Sequence, residues 1–340
     1  MSKIFNSISK LQSKRTGFTT GSAATAATIA AYLELTGKNV PNIINICLPD
    51  GSTLNIPLGK YNGVTGVFKD AGDDPDVTNG IFIYALVEIT DDDKIVIDGG
   101  NGVGRVTKRG LPSPIGNAAI NPVPVRMIED NLRPLLPERA GAKVMIYVPC
   151  GEKTAEKTFN SRLGITRGIS ILGTSGIVWP MSSGAVIAAV RCEIDVLAAE
   201  NTPFIWMVPG KIGETALRRA LPETAVVQFS NYAGEAFSYV KEKGYTAVGV
   251  AGHPGKLAKL AMGAKNTHSS CFTQANSYVR SLFGIKDEII GIEEICTQEW
   301  RKYLDILACK ISLAVGKEYG FRLVKVRLFS MAGLEVGKYE

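Results

Sequence analysis

Residues 246–262, TAVGVAGHPGKLAKLAM, decide the fold of the second half of the chain. A short apolar run (246–251) stops at Gly252. His253-Pro254-Gly255 then opens a helical pattern over 256–262, with Pro254 in its first turn, where a missing N–H costs little. The same strand, glycine turn and helix recur upstream. A strand at 168–172 leads to a helix at 182–200, and a strand at 204–208 to a helix at 214–220. A third strand, 225–229, leads to a helix at 232–243 that Gly244 stops. Strands alternating with helices build a parallel sheet with crossovers. Three helical stretches (272–283, 287–296, 299–319) and a strand (321–329) follow. The pattern predicts a C-terminal Rossmann-like parallel-sheet α/β domain over 161–340. In such sheets ligands bind at the carboxyl ends of the strands. Four glycine- or serine-containing loops fall there: Gly173-Thr174-Ser175-Gly176, Pro209-Gly210-Lys211-Ile212-Gly213, Ser230-Asn231 and Gly252-His253-Pro254-Gly255.

The first half has a different rhythm. GSAATAATIAAYLEL (21–35) is helical, with Gly37 as its stop, and its alanines make a narrow helix suited to lying close to a sheet. The approach to that helix, Arg15-Thr16-Gly17-Phe18-Thr19-Thr20-Gly21, places hydroxyls and glycines beside free helix N–H groups, the makings of an anion site. Apolar runs at 45–48 and 53–58 flank Pro49-Asp50-Gly51-Ser52, a hairpin signal. Strands at 81–90 and 94–98 follow. This reads as an N-terminal strand-rich α+β domain over 1–160, with the polar stretch 149–162 as the link.

The chain has 340 residues, 38 Lys+Arg against 32 Asp+Glu, and a net charge of +6. It has no run of five basic residues and no aromatic-basic RNA-binding word, which argues against nucleic acid. A mild basic excess suits a polyanionic small molecule. No apolar run reaches the ~18 residues of a membrane span. No secretory pattern follows the basic start, so the expected location is cytoplasmic. Six cysteines without a C-x-x-C pair and two histidines give no metal-ligand spacing, so no bound metal is expected. The cysteines are expected to be reduced core thiols. A homo-oligomer is left open.

Two tempting motifs fail. Asp98-Gly99-Gly100-Asn101-Gly102-Val103-Gly104 lacks dinucleotide spacing and leads into a basic strand rather than a helix. The loop 72–80, GDDPDVTNG, has no glycine at the sixth calcium-loop position, and Ala85 stands where the bidentate Glu belongs.

Longer words carry a resemblance: RTGFTTGSAATAA (15–27), KDAGDDPDVTNG (69–80), GVGRVTKRGLPSPIGNAAINPVP (102–124), GISILGTSGIVWPMS (168–182), MVPGKIGE (207–214), VVQFSNYAG (226–234) and GHPGKLAKLAMG (252–263). In this order they resemble the CbiD family, the cobalt-precorrin-5B (C-1)-methyltransferases of anaerobic cobalamin biosynthesis. Arg167 stands where that family usually has a small residue, and Ser175 where it usually has threonine. The resemblance implies methyl transfer from S-adenosylmethionine to C-1 of a cobalt tetrapyrrole, giving cobalt-precorrin-6A, with cobalt present only as part of the substrate.

Residue roles are inference laid on that resemblance. Gly173, Thr174, Ser175, Gly176 and Trp179 are expected to hold S-adenosylmethionine, the glycines by close backbone approach and the indole by stacking. Arg105, Lys108, Arg109 and Lys256 suit the substrate's ionised acetates and propionates, and Asp73 its pyrrole nitrogens. His253 and Asp74 are the candidates for proton transfer. Two rival classes remain, a non-catalytic tetrapyrrole carrier and a nucleotide-using α/β enzyme. Binding of S-adenosylmethionine, as against ATP or NAD, separates them.

Overall fold

The computed structural model describes residues 14–286 and 291–340. The basic start of the chain and the beginning of the helix expected at 287–296 lie outside the described residues. The described part of that helix, Ile292–Ile295, is a single 3-10 turn. The fold is mixed α/β and divides into two compact units, Met1–Ser182 and Ser183–Glu340.

The first unit is built on a five-stranded sheet in the order Gly59–Tyr61, Val64–Phe68, Phe82–Thr90, Gly141–Tyr147, Ile95–Gly99. Its pairs are antiparallel except the last, which is parallel. Helix Thr20–Leu35 covers one face, and its alanines explain the fit. Ala23, Ala24, Ala26, Ala27 and Ala30 are each 0% exposed, and side chains this short let the helix axis approach the strands closely. Helix Pro122–Leu132 packs beside it. The hairpin forms as expected between Ile43–Cys47 and Thr53–Pro57, and Asp50 accepts from Ser52 N and Oγ across the turn.

The boundary expected near 160 is corrected to Ser182/Ser183. Four short pairings explain why. Ile165–Thr166 pairs with Arg105–Val106, Gly168–Ile169 with Gly102–Val103, Ile171 bridges to Ile120, and Ile177–Val178 pairs with Gly17–Phe18. The segment expected to begin the parallel sheet is thus stitched into the first unit. The loop 173–176 goes with it.

In the second unit the sheet order is Val226–Gln228, Ile205–Val208, Ala247–Gly252, Leu323–Phe329, Glu335–Tyr339. The first four strands are parallel and the last is an antiparallel edge, an element the sequence reading did not anticipate. Strand Ile205–Val208 is buried throughout, as a central parallel strand should be. Helices Lys211–Ala220, Ala233–Glu242 and Pro254–Ala261 follow strands, and Arg301–Tyr319 precedes the fourth. The chain runs outward from Ile205–Val208 to Val226–Gln228, then returns to the other side with Ala247–Gly252. That reversal is a topological switch point. None of the six cysteines is fully buried, which corrects the expectation of core thiols.

Among the described residues no helix is long and apolar enough to cross a membrane.

Candidate functional site

Three family-like words converge in the first unit. Asp73 accepts the Arg15 N–H at 2.7 Å and returns its own N–H to the Arg15 carbonyl. Arg15 also pairs with Asp70. One oxygen of Asp74 accepts the Met181 N–H at 2.7 Å. Both aspartates therefore spend hydrogen-bonding capacity on tying 15–18, 70–74 and 177–181 together. Beneath them Lys69, 2% exposed, pairs with Asp76 at 2.7 Å. Burial alone would raise the Asp76 carboxyl, but Lys69 and the bonds from Thr78 bring it below its ordinary value.

The anion site expected at the start of helix Thr20–Leu35 does not form. Thr19 caps the helix by accepting from Ser22 N, Gly21 N–H goes to the Leu172 carbonyl, and Ser22 Oγ goes to the Gly176 carbonyl at 2.6 Å. The loop 173–176 is where those groups go. Gly176 has φ +82°, and a Cβ there would meet Leu48 Cδ2 at 2.6 Å. Gly173 likewise packs against Thr19. Both glycines thus have a reason in the protein's own packing, independent of the cofactor role expected of them. Ser175 Oγ is committed to Ile177. Thr174 and Trp179 remain exposed, the indole at 59%.

A cleft of about 620 Å³ opens where strand Ile95–Gly99, the loop 112–118 and helix Pro122–Leu132 meet. That is within the ordinary range of small-molecule sites, roughly 300–1,000 Å³. Val96, Pro112, Pro114, Pro122 and Val125 give it apolar walls, and Arg105, Arg126 and Asp98 are its charged residues. Of the four basic residues expected to meet the substrate's carboxylates, Arg105, Lys108, Arg109 and Lys256, only Arg105 lines it. Its guanidinium is held by both Asp98 oxygens, at 2.7 and 3.1 Å, and by the Gly99 carbonyl. The Lys108 stem lies over Gly164, and Arg109 is exposed and already has a partner. Sequence reasoning missed Arg126, which looks like an ordinary solvated helix residue. The signal available was its position, just past the word 102–124.

In the second unit the switch point brings Pro209–Gly213 and Gly252–Gly255 side by side. A Cβ on Gly213 would lie 3.2 Å from Gly252 Cα, and one on Gly252 would lie 3.0 Å from Pro209 Cδ. Gly210 starts helix Lys211–Ala220 without a side-chain cap, and space beside it is open. His253 caps the neighbouring helix. Its Nδ1 accepts Gly255 N–H at 3.1 Å, so Nε2 carries the proton and donates to Glu293 Oε2 at 2.9 Å. Both ring nitrogens are engaged, so the side chain expected to transfer a proton is also a helix cap held by Glu293. Cys296 Sγ lies 3.9 Å from Nε2, and with Glu293 this is a trio close enough to share an ion. The tautomer opposes that use, since a metal on Nε2 would need the proton on Nδ1 and would cost the cap. The Cys296 thiol is pushed up to about 12 by burial and then by Glu293, which favours a protonated thiol in the metal-free trio. Lys256 is half-buried, and burial together with Lys259 lowers its pKa. Lys259 itself is buried and donates to the Thr267 carbonyl, a second cation the sequence reading passed over.

The model of the CbiD family matches residues 7–180, and the chain belongs to that family. A relative from Thermoanaerobacter sp. (strain X514), named cobalt-precorrin-5B C(1)-methyltransferase, is 45% identical over 262 residues, covering 75% of this chain and 71% of the relative. One of the same name from Treponema denticola is 43% identical over 271 residues, 76% of this chain and 74% of the relative. A crystal structure described as the cobalamin biosynthesis protein cbiD from Archaeoglobus fulgidus aligns with a TM-score of 0.43 at 25% identity, covering 92% of this chain and 86% of that one.

Proposed function

We propose that this chain is a methyltransferase that moves the methyl group of S-adenosylmethionine to C-1 of cobalt-precorrin-5B, giving cobalt-precorrin-6A, in the cytoplasm. The observation that carries the reading is the identity of 43–45% over three quarters of the chain to relatives bearing that name. The first-unit cleft fits the substrate's character, with apolar walls for a conjugated ring and the guanidinium of Arg126, unpaired among the described residues, for a carboxylate.

Topology supports a donor site in the second unit. We read the second unit as Rossmann-like, and the crevice of such a sheet lies at its switch point. The uncapped start of helix Lys211–Ala220, opening at Gly210, offers N–H groups to the methionine carboxylate of the donor. Half-buried Lys256 supplies a nearby positive charge. When bound, S-adenosylmethionine supplies an electrophilic methyl. The protein's part is to orient the ring carbon in line with it and exclude water, an effect on the order of 7–11 kcal/mol in favourable intramolecular models. No nucleophilic side chain is needed, because the electron pair comes from the ring.

Incubating the purified chain with cobalt-precorrin-5B and S-adenosylmethionine labelled with tritium in its methyl tests the reading. Label appearing in the tetrapyrrole supports it. Substrate and donor that both bind, with no label moved, would leave a carrier instead.

A further inference from the structure

We infer that Arg126 is the residue that grips a peripheral carboxylate of the tetrapyrrole. The inference rests on the proposed substrate and goes beyond it by naming the contact. Arg105 and Asp98 hold one another, so their charges largely cancel within the cleft. Arg126 lines the same cleft, and no ion pair or hydrogen bond to its guanidinium occurs among the described residues. The cleft's uncompensated charge is therefore a single arginine facing apolar walls. A ring with acetate and propionate arms has complementary chemistry, an apolar body and a carboxylate at bidentate reach.

The backbone beneath Arg126 is anchored on both sides. Helix Pro122–Leu132 begins with prolines at Pro122 and Pro124 and buries Met127, Ile128 and Leu132 on its inner face. One turn beyond Arg126, Asn131 bonds the backbone of Cys47 through both its oxygen and its nitrogen. The two prolines also remove two N–H donors from the helix start, which makes the Arg126 side chain the stronger offering of this helix to an anion. Because that exposed side chain makes no hydrogen bond or ion pair among the described residues, its removal should leave folding largely untouched. This distinguishes it from Arg105, whose removal strands Asp98.

The test compares Arg126→Ala, Arg126→Lys and a control outside the cleft, Lys60→Ala, by anaerobic absorbance titration with cobalt-precorrin-5B and by steady-state kinetics. Arg126→Ala should raise Kd and KM for the tetrapyrrole roughly ten- to hundredfold, the worth of one charge-assisted contact, with kcat within about threefold and Tm unchanged. Its binding should also depend less steeply on salt. Arg126→Lys should recover part of the loss by restoring charge without the planar fork. Wild-type turnover with an Arg126→Ala Kd and KM within twofold of it overturns this inference alone. A wild-type chain that neither binds nor methylates the tetrapyrrole overturns the functional reading and this inference with it.

Discussion

Arg105 and Asp98 form a two-pronged pair, with guanidinium nitrogens 2.7 and 3.1 Å from the two carboxylate oxygens. The pair lies in the cleft, and both side chains are partly exposed, at 32% and 42%. It organises the wall of the site rather than presenting charge to a ligand. Arg105→Ala should therefore cost stability, by ~0.5–1 kcal/mol for a partly exposed pair, read as a lower urea midpoint. The expected outcome in kinetics is a smaller rise in substrate KM than Arg126→Ala gives. An Arg105→Ala protein with wild-type stability and the larger KM defect would invert the two roles.

The buried Lys69–Asp76 pair carries the acid sensitivity of the 69–80 loop. Asp76 has a carboxyl held below its ordinary value, so its stabilising contribution is complete above the unfolded value of 3.8 and is lost as pH falls through the lower folded value. Asp76→Asn should remove that acid dependence. It should also cost about 3–5 kcal/mol at neutral pH, because Lys69 is left buried and unpaired. Urea melts of both proteins from pH 7 to pH 3 measure this. Parallel pH profiles would show that the pair is not the titrating element.

Arg167 has φ +66°, in the left-handed region, at a position where the family resemblance leads one to expect a small residue. A Cβ in that region costs roughly 1–2 kcal/mol. Glycine also loses more entropy on folding, so Arg167→Gly should be stabilising by about 0.5–1 kcal/mol net. A thermal melt decides it, and a lowered Tm would mean that the arginine side chain makes compensating contacts.

Gly210, proposed to meet the donor, and Gly176, packed against Leu48, should answer differently to a side chain. Gly210 has φ 172°, extended backbone open to any residue, and nothing lies within 4 Å of a Cβ there. Gly210→Val should fold with an unchanged Tm while placing a branched side chain over the helix start, weakening S-adenosylmethionine at least roughly tenfold in calorimetry. Gly176→Val should instead destabilise the fold, since its Cβ meets Leu48 and its φ is +82°. Unchanged donor affinity in Gly210→Val would remove the switch-point assignment.

What could be read from sequence, and what could not, divides by distance along the chain. The strand–glycine–helix units around Gly210 and Gly252 were legible because each is closed by local geometry. So were the alanine helix and the Asp50-Gly51 hairpin. The domain boundary was not, because Gly168–Ile169 is a two-residue strand whose partner, Gly102–Val103, lies far upstream and leaves no periodicity behind. The same holds for the site. Glycines at 173 and 176 read as a ligand loop, yet their reason is Thr19 and Leu48, residues that only folding brings near. Arg105 announced itself as a cation, but its neutralising partner sits across a turn. Arg126 was silent because one arginine on an amphipathic helix carries no local signal of what it faces.

The most direct test of the account is where the methyl group lands. S-adenosylmethionine carrying a carbon-13 methyl, incubated anaerobically with the purified chain and cobalt-precorrin-5B, should give a product with one enriched methyl resonance. Its long-range couplings should place that methyl on C-1 of the ring, and S-adenosylhomocysteine should form in equal amount. An enriched methyl on a different ring carbon, or donor consumed with no carbon-13 in the tetrapyrrole, would contradict it.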